Sequence, residues 1–180
     1  NVGSNAGGGI ALADGSDLTI VRGTFLYNGS DKGAGLQSSG STITATAVGF
    51  LSNFGIGDGG ALCLDGGAFT GEYLLFSANV ADRGGGFYSD DSNVATVEKS
   101  VFVANWGYVT GGAFECEGES VTLTASVLRN NWAPVGPDFA CADGCTTLLT
   151  NVNGYNSSDV SGCTAPAAVR GGGVAWKDMV

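Results

Sequence analysis

The sequence of 180 residues contains no histidine and few basic residues. Seven lysines and arginines stand against seventeen aspartates and glutamates, so the formal net charge is −10 and the isoelectric point is near 4.1. Nucleic acids and anionic membranes are bound through positive charge, so this balance excludes both as expected partners. A solvated acidic surface is the simplest interpretation of the charge.

Long apolar runs and helical periodicity are missing as well. No window approaches the length of a transmembrane helix, and no signal peptide or initiator methionine opens the chain. The first and last residues both fall inside a repeat, which is described below. We therefore expect a fragment, or a processed piece, of a longer chain that continues in both directions.

The sequence is rich in glycine and carries a repeat. It has 32 glycines, yet it is 43% hydrophobic, with a mean hydropathy of +0.18, so it is expected to fold. Large apolar residues recur at separations of 25, 26, 26 and 26 residues, at Phe25, Phe50, Phe76, Phe102 and Leu128. An asparagine follows each of them three residues later, at Asn28, Asn53, Asn79, Asn105 and Asn131. Such a period predicts an array in which each repeat contacts only its neighbours.

Alternation within each repeat predicts a β-strand before the large apolar residue. One inward column holds Leu18, Ile43, Phe69, Ala95 and Val121, and the next position of every repeat is threonine. The pattern predicts an all-β chain that forms a right-handed parallel β-helix, a solenoid with about 26 residues per coil and about seven coils. We expect regular coils over residues 1–144. Residues 145–180 are expected to form an irregular, disulfide-closed loop and the start of a further coil.

The repeated residues have a structural interpretation in this fold. The five large apolar residues are expected to stack inside the coils, and the five asparagines to form a ladder of amide hydrogen bonds. The glycines allow the backbone to turn with positive φ and leave room for close packing of coils. No cofactor and no metal ion is required by this interpretation.

The repeats resemble those of a known family. "FLSN" followed by "GGAL", "FSAN" by "GGGF" and "FVAN" by "GGAF" resemble the F-x-x-N and G-G-A-[ILV] repeats of the polymorphic outer-membrane proteins, which have relatives in large surface proteins of algae and protists. The resemblance covers residues 1 to about 140 and weakens at "LRNN" with "GPDF". It implies a surface-displayed β-helix used for adhesion or as a stalk, with no catalytic residues.

The five cysteines point to an oxidising compartment. Cys116 and Cys141 each lie two residues after the apolar residue of a glycine motif, so we expect them to be stacked in adjacent coils and bridged. Cys145 and Cys163 bracket the segment that breaks the period, and a second bridge is expected there. Cys63 falls in an outward column, either as a free thiol or as a partner to another chain.

Two Asn-x-Ser sequons are present, at Asn28 and Asn156. If the source is eukaryotic, Asn156 is expected to carry a glycan because it lies in the irregular loop. Asn28 belongs to the predicted buried ladder and is expected to carry none.

Parallel β-helices also include enzymes that act on polysaccharides, and one pair of residues fits that alternative. Glu72 and Glu98 share an outward column in adjacent coils, at a separation of ~5 Å that suits retaining glycoside hydrolysis. Lys99 and Arg129 are the cations that would assist. No calcium-plus-arginine signature of a lyase accompanies the pair.

Two further alternatives involve the surface. The threonine column, with "TIT", "TAT" and "TLT", partly matches the flat rows of ice-binding β-helices, but Glu72 and Glu98 interrupt the neighbouring column. Calcium binding would use an acidic set without any defined calcium-loop spacing, namely Asp90, Asp91, Glu115, Glu117 and Glu119.

The function expected from the sequence is a non-catalytic, extracellular structural or adhesive segment. It would belong to a larger surface protein or filament, located outside the cell or at its surface. The expected partners are flanking coils or other protein subunits, with Cys63 and the threonine face as candidate contact surfaces. Cell-surface glycans are a further candidate partner without a motif, and a polysaccharide-active enzyme or an ice-binding protein is the alternative function.

Overall fold

The computed structural model describes residues 1–163 except 4, 14, 91–93, 119 and 154–159. These residues form twenty strands and no helix, so none of the described segments is a helix long and apolar enough to cross a membrane. The strands are β1 Ile10–Leu12, β2 Asp17–Val21, β3 Thr24–Leu26, β4 Gly29–Ser30, β5 Leu36–Thr46, β6 Gly49–Leu51, β7 Phe54–Gly55, β8 Leu62–Glu72, β9 Leu75–Ser77, β10 Val80–Arg83, β11 Phe87–Asp90, β12 Val94–Glu98, β13 Val101–Val103, β14 Trp106–Thr110, β15 Phe114–Glu117, β16 Ser120–Thr124, β17 Val127–Arg129, β18 Phe139–Ala142, β19 Thr146–Thr150 and β20 Val160–Ser161.

The strands form three parallel sheets that run along the axis of a solenoid. Sheet A contains β4, β7, β10 and β14, and sheet C contains β3, β6, β9, β13 and β17. Sheet B contains the other eleven strands. Neighbouring strands lie one coil apart in the chain, as in the pairing of Phe50 with both Phe25 and Phe76. The predicted all-β solenoid is confirmed, but the described residues form about five turns and not seven.

The core is a column of aromatic rings that runs through the coils. Successive ring centroids of the first column are 4.9, 4.8 and 4.4 Å apart, from Phe25 through Phe50 and Phe76 to Phe102. Leu128 continues the column and is fully buried. A second column follows the glycine motifs, where Phe114 stacks on Phe139 with centroids 4.7 Å apart. The predicted inner stack is therefore confirmed.

Each coil turns at three corners between the sheets, and each of these corners has a residue with positive φ. A further bend within sheet B also has positive-φ glycines, as at Gly15, Gly40, Gly118 and Gly144. The corner between sheets A and B uses glycine; at Gly59, with φ of 69°, an added Cβ would lie 2.4 Å from the carbonyl oxygen of Leu62. The corner between sheets B and C uses Arg22, Ala47, Tyr73, Lys99, Ala125 and Asn151. The corner between sheets C and A uses Tyr27, Ser52, Ala78, Ala104 and Asn130.

Positive φ is uncommon outside glycine and costs backbone energy. The surrounding stack fixes it here, because the corner residue still donates its N–H to the next coil, as Ala78 does to the carbonyl oxygen of Val103 at 3.1 Å. These two columns of non-glycine corners were not predicted from the sequence.

The regular stacking does not end at residue 144. Strand β19 pairs in register with β16, with Leu149 opposite Leu123, and Asn153 forms a parallel bridge with Val127. Strand pairing thus continues beyond the boundary predicted at 144, over Thr146–Thr150. Most of the remaining segment lies outside the described residues.

Candidate functional site

The asparagine ladder is the most regular polar feature of the interior. The side-chain nitrogen of Asn28 donates to Oδ1 of Asn53 at 2.9 Å, and the backbone N–H of Asn28 donates to the same oxygen at 3.1 Å. The same pair of bonds links the next three steps of the ladder, from Asn53 to Asn79, Asn105 and Asn131. The predicted ladder is confirmed.

The ladder also closes onto the backbone and ends on a carboxylate. Nδ2 of Asn79 donates to the carbonyl oxygen of Phe50 at 2.9 Å, and the other inner members make the equivalent bond. Nδ2 of Asn131 also donates to Oδ1 of Asp138, at 2.9 Å. These buried amides are fully engaged along the axis, which satisfies polar groups that would otherwise destabilise the core.

The four predicted cysteines are oxidised, but in other pairs. Cys116 is bonded to Cys145 and Cys141 to Cys163, with Cα atoms 6.0 and 4.8 Å apart. The predicted bridges Cys116–Cys141 and Cys145–Cys163 are therefore wrong. Disulfides of this kind are typical of an oxidising, non-cytoplasmic environment.

The physical reason for the different pairing is the turn before Cys145. Cys116 and Cys141 are opposite each other on neighbouring parallel strands, where side chains extend side by side and not toward one another. Asp143 and Gly144, with φ of 49° and 83°, turn the chain and bring Cys145 back to Cys116. Among the described residues, Cys116, Cys141 and Cys145 form the one group that has a metal-compatible spacing, and disulfides occupy it.

Cys63 is a free thiol, which is the first of the two predicted alternatives. It does not lie on the surface, however. Its side chain points away from the core, opposite Tyr88, yet only 1% of the residue is exposed. Burial raises the pKa of the thiol to about 12, against an opposing effect of the Lys32 ammonium. The expectation that Cys63 offers a contact surface is therefore wrong, because neighbouring segments cover the outer face at this point.

A cluster of charged residues covers this part of sheet B. We call it the ionic cluster; it consists of Lys32, Asp58, Arg83, Tyr88, Glu115 and Glu117. Nε of Arg83 donates to Oδ1 of Asp58 at 2.8 Å, and its other arm contacts Glu117. The Tyr88 hydroxyl donates to Glu117 at 2.8 Å. Arg83 thus joins residues 25 positions before it and 34 positions after it.

Glu115 is the most buried acid of the ionic cluster. Only 4% of the residue is exposed, and the Thr110 hydroxyl donates to its carboxylate. Burial raises the pKa of Glu115, while the bond from Thr110 and the positive charge of Arg83 oppose that rise. Sequence reasoning gave Glu115 and Glu117 only a calcium role, whereas Glu117 is bound to Arg83 and Tyr88. Two other members of that acidic set, Asp91 and Glu119, lie outside the described residues.

The two glutamates of the enzymatic alternative are adjacent as predicted. Glu98 and Glu72 are opposite each other on strands β12 and β8. Glu72 forms an ion pair with Lys99, whose Nζ lies 2.6 Å from Oε1 and 5.0 Å from the centre of the Tyr73 ring. Arg129 lies in an exposed position on sheet C.

The threonine column is in register on the outer face of sheet B. Thr44 pairs with Thr70, Thr70 with Thr96, and Thr96 with Thr122. The next position is Leu148, and the neighbouring column carries Glu72 and Glu98, so the row of hydroxyl groups is interrupted. The flat row that an ice-binding surface needs is incomplete.

Asn28 is buried in the ladder, which agrees with the expectation that it carries no glycan. The predicted glycosylation site, Asn156, lies outside the described residues.

Comparison of the chain with protein-family models, with curated proteins and with solved structures finds no match. Function must therefore be argued from the residues of this chain.

Proposed function

We propose that this chain is a non-catalytic structural or adhesive segment of an extracellular or cell-surface protein, and that its working unit is an assembly of stacked coils. The observation that supports this most is the use of the buried polar groups. The amides of the asparagine ladder hydrogen-bond from coil to coil, so these five side chains are used within the stack. Such a ladder holds neighbouring coils together, so it opposes their separation along the axis of the solenoid.

The disulfides add to this argument. Cys116–Cys145 and Cys141–Cys163 close loops of 29 and 22 residues at one end of the described stack. Cross-links of this kind stabilise a folded rod mainly by restricting its unfolded chain. They suit a protein that functions outside the cell.

A polysaccharide-active enzyme is the second candidate, because Glu72 and Glu98 lie opposite each other on neighbouring strands. Against it, Lys99 already engages Glu72 in an exposed ion pair. A pair of adjacent exposed carboxylates is also compatible with a surface that has no chemical role.

One experiment separates the two candidates. The purified chain is stretched along its axis by force spectroscopy, before and after reduction, and is also incubated with neutral and acidic polysaccharides. The structural proposal expects a resolved unfolding force, a longer extension after reduction, and no release of sugar ends. Release of sugar ends that is lost on Glu72→Gln or Glu98→Gln would overturn the proposal in favour of the enzyme.

A further inference from the structure

An exposed strip of aromatic side chains runs along the outside of sheet A. We call it the aromatic ridge; it consists of Phe54, Trp106 and Trp132, which are 49%, 40% and 43% exposed. Phe54 and Trp106 are joined through Val80 in register, and Trp106 forms a bridge with Trp132. The two indole rings have centroids 4.0 Å apart. Large apolar groups aligned on a surface in this way usually mark an interaction site.

A second apolar strip, on sheet C, is concave. We call it the apolar groove; it has a volume of about 300 Å³ and is lined by Leu75, Val101, Val103, Val127, Arg129 and Asn130. A second depression of about 460 Å³ shares Leu75 with it and extends to Arg22. The groove and this depression together run along sheet C, and Arg129 lines the first and Arg22 the second.

The charges beside the two strips are of opposite sign. Arg22 and Arg129 are exposed, and within the described part of the chain neither forms an ion pair, whereas Lys32, Arg83 and Lys99 do. Beside the ridge, Asp31 and Asp82 are exposed. Asp82 lies two residues after Val80, so it points outward from the same face as the ridge.

We propose that the apolar groove of one molecule receives the aromatic ridge of a second copy of this chain. The ridge is exposed and apolar and the groove is concave and apolar, while the arginines of one face meet the aspartates of the other. The proposal rests on the structural function proposed above, in which an assembly is the working unit, and it names the partner and the two faces.

The contact is heterologous, because it joins two different surfaces. The left-handed corner at Asn130, with φ of 54°, separates sheet C from sheet A, so the groove and the ridge face different directions. A molecule that receives a ridge in its groove still offers its own ridge. Such contacts do not close on themselves, and they generate open rows of molecules side by side.

A glycan chain fits the ridge less well. Sugars bind proteins by stacking on the free faces of aromatic rings, but Trp106 and Trp132 already pack against each other, with centroids 4.0 Å apart and ring planes at 31°. The faces that they turn toward each other are therefore not free for a sugar, whereas the ridge as a whole can still insert between the aliphatic side chains of the groove.

A single contact of this kind is expected to be weak. The groove and the depression beside it together touch the five strands of sheet C, and a stable protein interface usually buries about 800 Å² on each partner. A longer solenoid with more coils would present the same contact several times along its length, and the repeated contacts together would bind more strongly. Association of the 180-residue chain is therefore to be measured up to high concentration.

The test is sedimentation velocity from about 10 µM to about 1 mM, together with tryptophan fluorescence. For the wild type we expect the weight-average mass to rise roughly twofold or more without a plateau at the dimer, and the emission to shift to shorter wavelength. The groove variant is Leu75→Glu with Val103→Glu, and the ridge variant is Trp106→Thr with Trp132→Thr. Each variant alone is expected to remain monomeric.

Mixing the two variants gives the sharpest result. The groove variant still offers an intact ridge and the ridge variant an intact groove, so an equimolar mixture is expected to form a one-to-one dimer and nothing larger. The control, Thr44→Glu with Thr70→Glu, adds the same charge to the exposed face of sheet B and is expected to associate like the wild type. Circular dichroism melts confirm that every variant is folded.

Three results would overturn the inference: a wild type that stays monomeric at about 1 mM, variants that associate like the wild type, or a mixture that does not dimerise. A wild type that stops at a closed dimer would also contradict the open row. If the wild type is monomeric and releases no sugar ends from polysaccharides, only this interface is wrong. If it releases sugar ends in the assay above, the structural function itself fails.

Discussion

Nδ2 of Asn53 donates to Oδ1 of Asn79 at 2.9 Å, although 26 residues separate the two in the chain. The backbone N–H of Asn53 donates to the same oxygen at 3.0 Å. Both residues are fully buried. One side chain therefore satisfies two donors of the preceding coil, so the register of the coils depends on these asparagines as well as on apolar packing.

Asn79→Ala is expected to destabilise the fold by about 3–5 kcal/mol, because it leaves several buried groups without partners. The donors of Asn53 lose their acceptor, and Oδ1 of Asn105 and the carbonyl oxygen of Phe50 lose a donor. The free energy of unfolding in urea, measured by circular dichroism, gives the value. Asn131→Ala is the matched control at the half-exposed end of the ladder, and it is expected to cost less. Equal losses for the two variants would mean that the ladder does not act through burial.

Phe76→Ala tests the aromatic column in a middle coil. Phe76 is fully buried and stacks between Phe50 and Phe102 at 4.8 and 4.4 Å, so its loss leaves a cavity with rings on both sides. We expect a loss of roughly 3–5 kcal/mol in the free energy of unfolding. Leu26→Ala changes an exposed residue of sheet C and is expected to cost less than about 1 kcal/mol. A Phe76→Ala protein as stable as the Leu26→Ala protein would contradict the core.

The solenoid and its interior could be predicted from the sequence because each coil repeats the same environment. A side chain that stacks on its own equivalent is selected at a constant spacing, and both Phe76 and Asn79 carry that period. The corners could not be predicted in this way. Ala78 and Tyr73 have no chemical signature of positive φ, and only the hydrogen bonds of the stack hold them there.

The predictions of the cysteine pairing and of an outward, accessible Cys63 failed for a related reason. Register predicts which residues lie side by side, and it placed Cys116 beside Cys141 correctly. It does not predict which cysteines a turn brings together, and the turn at Asp143 and Gly144 places Cys145 against Cys116. The alternation of inward and outward residues likewise predicted the outward direction of Cys63. It did not predict the ionic cluster that adjoins Cys63, because a contact such as that between Arg83 and Glu117 does not recur from coil to coil.

The thiol of Cys63 is expected to be unreactive in the folded protein. Burial raises its pKa to about 12, so both access and thiolate are lacking at pH 8. Iodoacetamide labelling followed by mass spectrometry is expected to find no adduct on Cys63 under native conditions and full labelling in urea. Rapid native labelling, or a disulfide-linked dimer through Cys63, would contradict its buried position.

Glu115→Gln is expected to make the protein more stable at neutral and alkaline pH. Burial raises the pKa of Glu115, so the folded protein holds this proton more tightly than the unfolded chain does. The ionised form therefore costs folding free energy, and this cost grows as the pH rises from the ordinary carboxyl range through the raised pKa. Glutamine removes that charge and can still accept the bond from the Thr110 hydroxyl.

The measurement is the difference in free energy of unfolding between the Glu115→Gln variant and the wild type, taken from pH 4 to pH 8.5. The difference is expected to be small at the acidic end, to increase in favour of the variant as pH rises, and to level off above the raised pKa. Comparing the two proteins at each pH cancels the titration of all other carboxyl groups. Glu117→Gln is the control: it removes a charge that Arg83 contacts, and it is expected to lower stability at neutral pH. A variant of Glu115 that loses stability as pH rises would show that Arg83 stabilises the carboxylate more than burial opposes it.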